Sequence, residues 1–124
     1  MMEGGKAMEQ QILSNHLTMV LIDVDLQLYK GSIYKLRWGS PGGLDEAIPC
    51  YRAAKRTISE APWPDEMRDL ADELTARVDR YISILESRDV TSASAQLSAL
   101  MSNFKVLQER VRDWRGGVVA GRRR

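Results

Sequence analysis

Apolar positions in this chain recur at intervals of three and four residues over most of its length, and that spacing sets the expected fold. The signal is clearest between Pro64 and Trp114. Met67, Ala71, Leu74, Val78, Tyr81 and Leu85 form one run; Val90, Ala93, Leu97, Leu100, Phe104, Leu107, Val111 and Trp114 form another. Alternating steps of three and four keep side chains on one stripe of an α-helix, so the two runs predict two helices of similar length. The link around Ser87-Arg88-Asp89 is short, which makes neighbouring helices antiparallel, and Asp89 is suited to cap the second. Residues whose numbers sum to about 175 then face one another: Val78 with Leu97, Ala71 with Phe104, Asp65 with Arg110.

Upstream, Leu44, Ile48, Tyr51, Ala54 and Ile58 make a shorter stripe after the break at Ser40-Pro41-Gly42-Gly43. Asp45 and Glu46 suit the start of that helix. Pro49 either interrupts a helix begun at Leu44 or sits at no cost in the first turn of one begun near Ile48. Ala61-Pro62-Trp63-Pro64 separates this helix from the next.

The N-terminal third admits two readings. As a helix, it places Leu13, Leu17, Val20, Leu21, Val24 and Leu28 on one face and Ile12, Met19, Ile22, Leu26, Tyr29 and Ile33 nearly opposite. Such an element is apolar on two sides. As a β-hairpin over about 20–38, Ile22, Val24, Leu26 and Leu28 alternate with Asp23, Asp25, Gln27 and Tyr29, Lys30-Gly31-Ser32 makes the turn, and Asp25 meets Arg37 across the strands. The helix is preferred because everything downstream is helical. The expected fold is therefore an all-α, antiparallel up-down bundle of four helices near 8–37, 44–60, 64–88 and 90–115. Its alternative is an α+β arrangement with the hairpin packed on three helices. One helical domain is expected over 7–115, between a disordered lead-in (1–6) and a basic flexible tail (116–124).

Composition narrows the function classes more than it names one. At 124 residues the chain can bury roughly two-thirds of its unfolded surface without staples. A formal net charge of +1 provides no global field selecting nucleic acid, membrane or acidic substrates. Cys50 is the only cysteine, so no internal disulfide forms. The start, MMEGGKAMEQ, has no apolar core for a signal peptide, and the longest uncharged run, Gln10 to Ile22, is too short and polar to span a bilayer. A soluble, cytoplasmic protein is expected.

Catalytic and metal constellations are sparse. His16 is the only histidine. Nothing in the sequence brings it to Cys50 as a nucleophile–base pair. Asp23 and Asp25 would share a face on a strand but diverge on a helix, so carboxylate-pair chemistry depends on the hairpin. No catalytic residue, cofactor or metal ligand is expected, and the chain reads as a non-enzyme. Charge is more informative. The first helix of the 64–114 pair opens acidic, with Asp65, Glu66, Asp69, Asp72 and Glu73; the second closes basic, with Lys105, Arg110, Arg112 and Arg115. Antiparallel pairing sets those ends side by side, where they would neutralise one another.

Two short stretches carry family resemblances. Gly42 to Ala54 resembles the second half of a tetratricopeptide repeat, with Gly42, Ala47, Tyr51 and Ala54 at that family's small and aromatic positions. No second copy lies 34 residues away, and such arrays need about three copies, so the match reads as a helix-packing pattern. Trp114-Arg115-Gly116 is similar to the Trp-x-Gly of small secreted helical-hairpin proteins. In that family the motif occupies the turn between two long helices, whereas here it lies near the chain end.

Three functions remain as expectations. The first is a helical protein–protein interaction module, self-association included, whose interface uses Ile12, Met19, Ile22, Leu26 and Tyr29 with Trp63 and Trp114. The second is a bundle holding a small ligand among Tyr34, Tyr51, Tyr81, Met19 and Phe104. The third is an accessory binder of nucleic acid or an anionic surface through Arg110, Arg112, Arg115, Arg122, Arg123 and Arg124.

Overall fold

The computed structural model describes the backbone of residues 2–35 and 43–121, and the side chains of 8–33, 43–89 and 91–114. It contains four helices, α1 (Met2–Lys35), α2 (Gly43–Glu60), α3 (Asp65–Glu86) and α4 (Val90–Gly121), and no strand among the described residues. Among the described residues each helix packs on its neighbour in sequence and α4 returns to α1, with no close backbone approach across either diagonal. That is the ring of an up-down bundle, and the α1–α4 seam is its sparsest side.

The hairpin alternative is overturned, since α1 is helical through Lys35, the last described residue of that segment. Gly31, the proposed turn residue, has a different purpose. It is buried under Tyr51 of α2, and a Cβ built there would stand 2.7 Å from two atoms of the Tyr51 ring. Only a residue without a side chain lets the ring come that close. The Tyr51 hydroxyl lies 3.3 Å from Ser32 Oγ, and its ring meets that of Tyr81 edge-on at 4.9 Å between centroids. Burial pushes both phenols above their ordinary range, and for Tyr81 the adjoining Tyr51 adds to the effect.

Every described member of the expected α3 stripe is buried, from Met67 to Leu85, and Ile82 joins them. On α4, Ala93, Leu100, Phe104, Leu107 and Val111 are buried, with Leu97 and Trp114 half-buried against the same core. The α3–α4 link closes as a Schellman motif. Asp89 N–H donates to Ile84 O at 3.2 Å and Arg88 N–H to Leu85 O at 3.1 Å, with Arg88 left-handed at φ 58°. Asp89 then caps α4, accepting from Ser92 N–H at 3.1 Å and Ser92 Oγ–H at 2.7 Å.

Helix limits differ from those expected. α1 begins at Met2, inside the supposed lead-in, and α4 continues to Gly121, through Gly116-Gly117 and into the supposed tail. Glycine costs a helix only about 1 kcal/mol each and need not end one. Pro49 lies in the interior of α2, which begins at Gly43. Among the described residues no ion pair joins the acidic start of α3 to the basic end of α4. Two ion pairs link α2 to α3, Lys55–Asp79 at 2.7 Å and Arg52–Glu86 at 3.5 Å. Asp65 and Arg110 are exposed, where a fixed pair would contribute little against side-chain entropy.

Candidate interaction surface

α1 has two apolar faces and the bundle uses one. Leu17, Leu21, Val24 and Leu28 are buried, with Leu13 and Val20 packed beside them. On the other side Met8, Ile12, Met19, Ile22, Leu26, Tyr29 and Ile33 each keep 41–65% of their surface in water. Because apolar groups surround it, α1 is barely amphipathic, unlike α2 and α3. Taking about 200 Å² for a large side chain, the outer stripe exposes roughly 800 Å², above the few hundred that a monomer ordinarily shows in one patch. It runs about 38 Å along the helix, from Met8 to Ile33.

Polar groups border this stripe on both sides. Gln11 Nε2 donates to Asn15 Oδ1 at 3.2 Å, tying down the one polar residue within it. Toward α2, Asp23 Oδ2 accepts from Thr57 Oγ1 at 3.1 Å, which fixes that carboxylate at the stripe's edge. Toward α4, a groove of about 480 Å³ opens beside Ile22, walled by Thr18 and Asp25 on α1 and by Lys105, Glu109 and Arg112 on α4. Its charges are mixed.

Ile12, Met19, Ile22, Leu26 and Tyr29 thus stand together on one exposed face. The two tryptophans do not join them. Trp63 is buried and its indole N–H donates to Ile58 O at 2.7 Å, so it closes the end of the core, and Trp114 packs half-buried against that core. Trp63 leaves the interface set for a physical reason: its ring fills the corner where the α2–α3 link turns. Arg110 and Arg112 are exposed on α4; the side chain of Arg115, and residues 122–124, lie outside the described residues.

Tyr51, Tyr81 and Phe104 are packed in the core while Met19 faces outward, so these ligand candidates line no common cavity; the Tyr34 side chain and Trp38 fall outside the described residues. On helical α1, Asp23 turns toward α2 and Asp25 toward α4. Cys50 precedes Tyr51 on α2, whose hydroxyl reaches Ser32, and Ser32 lies roughly 24 Å along α1 from exposed His16. Its thiol donates to Glu46 O at 3.6 Å. Among the described residues no three His, Cys, Asp or Glu side chains gather as a metal ion requires. No described helix is long and apolar enough to cross a membrane.

Met8 at the head of the stripe and Asn15 within it stand beyond the residues expected there. Both could have been found by continuing the three–four count upward from Ile33. Comparison with family models, with curated proteins and with solved structures gives no match to this chain.

Proposed function

We infer that this chain is a non-enzymatic helical interaction module that docks another protein chain along the outer face of α1. One observation carries the reading: a stripe of seven apolar residues, broken only at Asn15, lies in water on a helix whose opposite face already satisfies the core. Apolar surface of that extent favours burial by roughly 25 cal/mol per Å², and helix-on-helix docking is the ordinary way to bury a stripe with this spacing. The readings as ligand-binding bundle or anion binder draw less support, since the α1–α4 groove mixes acidic and basic walls.

Site-directed photocrosslinking tests the reading. A crosslinking residue at position 26, introduced into the full chain in its producing cells, should give a discrete protein adduct. The same group at Asp72, exposed on α3, should not. Adducts equal at both positions, or absent from 26, would refute the assignment.

A further inference from the structure

We propose that the occupant of the α1 outer face is a second copy of this chain, with its α1 laid antiparallel in the register that sets Met19 against the partner's Ile22. This rests on that face being a docking seam, and three observations select the occupant.

The first is periodicity. Positions 8, 12, 15, 19, 22, 26, 29 and 33 alternate steps of four and three without a break. A period of 3.5 residues suits a second helix wound along the full length of the seam.

The second is self-complementarity. Reversed on itself, the seam sets Met8 against the partner's Ile33, Ile12 against the partner's Tyr29, and Asn15 against the partner's Leu26. Each layer recurs about a two-fold axis, as a closed symmetric dimer requires. At this layer the Asn15 side-chain oxygen already accepts from Gln11, and a single polar layer in an apolar seam fixes its register at some cost in stability. With roughly 800 Å² exposed on each chain, the seam has the area of a standard interface.

The third is charge. In this register the flank facing α2 brings Glu9 beside the partner's Lys30 and His16 beside the partner's Asp23, and all four positions are exposed. Sliding one heptad either way opposes like charges, setting Asp23 against the partner's Asp23 or Glu9 against the partner's Asp23. Both shifted registers are thereby disfavoured. A parallel pair would match only Lys30 with the partner's Asp25 and leave Glu9 and Asp23 without an opposite charge. The reversed register is the one in which the flank charges agree.

Sedimentation equilibrium of the purified full chain across the micromolar range tests this. The parent should show twice the chain mass and dissociate to monomer on dilution, and Ile22→Glu/Leu26→Glu should stay monomeric with its helical circular dichroism intact. Lys30→Glu should loosen the dimer about tenfold, since two attractive pairs become repulsive. The swap Glu9→Lys/Lys30→Glu should restore it. Restoration by Asp25→Lys/Lys30→Glu instead would replace the antiparallel register with the parallel one and overturn the proposal. A parent that is monomeric throughout would also overturn it. In that event an adduct from position 26 to a different protein would leave the docking face itself standing, whereas no adduct at all would remove both.

Discussion

Replacing Gly31 by alanine tests how closely α2 approaches α1. The added Cβ would lie 2.7 Å from Tyr51 Cε2 and Cζ, against the 3.4 Å at which ordinary contact begins, so the ring must retreat by about 0.7 Å. It has little room to do so. Its ring also packs edge-on against Tyr81 at 4.9 Å, and its hydroxyl reaches Ser32 Oγ at 3.3 Å. Overpacking a rigid core costs roughly 1–3 kcal/mol, and two ring atoms in one clash argue for about 3. Alanine returns about 1 kcal/mol through its better helix propensity. The net is a loss of about 2 kcal/mol, or roughly 6 °C in Tm for a domain of this size. Urea unfolding followed by circular dichroism gives the value directly. In a Tyr51→Ala background the same change should be neutral or stabilising, because the ring that opposes it is gone. If Gly31→Ala stabilises the parent as it would at an exposed helical site, the close approach is wrong.

Three further predictions follow from local geometry. Ser14 is fully buried and its hydroxyl finds no partner among the described residues, so Ser14→Ala should raise stability by about 1 kcal/mol in thermal unfolding; a loss of similar size would mean the hydroxyl is bonded. Arg88 occupies the left-handed position that ends α3, at φ 58°, where a side chain costs about 1 kcal/mol; Arg88→Gly should shift the urea midpoint upward, and a downward shift would speak against that strain. Asp89 accepts hydrogen bonds from Ser92 that hold its carboxyl below the ordinary 3.8. A depressed folded-state value means its contribution is present above that pH and lost as pH falls through the folded value. Melting points of parent and Asp89→Asn should therefore differ near neutrality and converge in acid; a constant gap would remove the charge from the cap.

The four-helix bundle could be read from the sequence because α2 and α3 each put their apolar residues on a single stripe and α4 carries a long one despite exposed Met101 and Val106, and Leu74, Leu100 and Phe104 accordingly lie in the core. α1 was ambiguous because a helix apolar on both faces also contains short runs of alternating residues, and Ile22 to Leu28 fits either period. Gly31 compounded the ambiguity: the sequence displays a glycine but not the Tyr51 ring, nineteen positions away, that requires it. The members of the outer stripe were legible by spacing. Trp63 was not, since an end-of-helix tryptophan can close a core or greet a partner, and only the hydrogen bond to Ile58 O decides between them. The start of α1 and the end of α4 run past the expected limits because Gly4-Gly5 and Gly116-Gly117 express only a local preference, which a continuing helix can absorb.

The claim beneath all of this is that α1 serves two environments, and the unfolding free energies of Leu26→Gln and Leu28→Gln, measured side by side at low protein concentration, test it most directly. Leu28 is 2% exposed and Leu26 49%. Leu28→Gln should lose roughly 3 kcal/mol or more, since an amide would be buried unpaired there, and Leu26→Gln should change stability by no more than about 0.5 kcal/mol. Equal losses at the two positions would mean that the outer face is packed within the same bundle, and the docking seam would not exist.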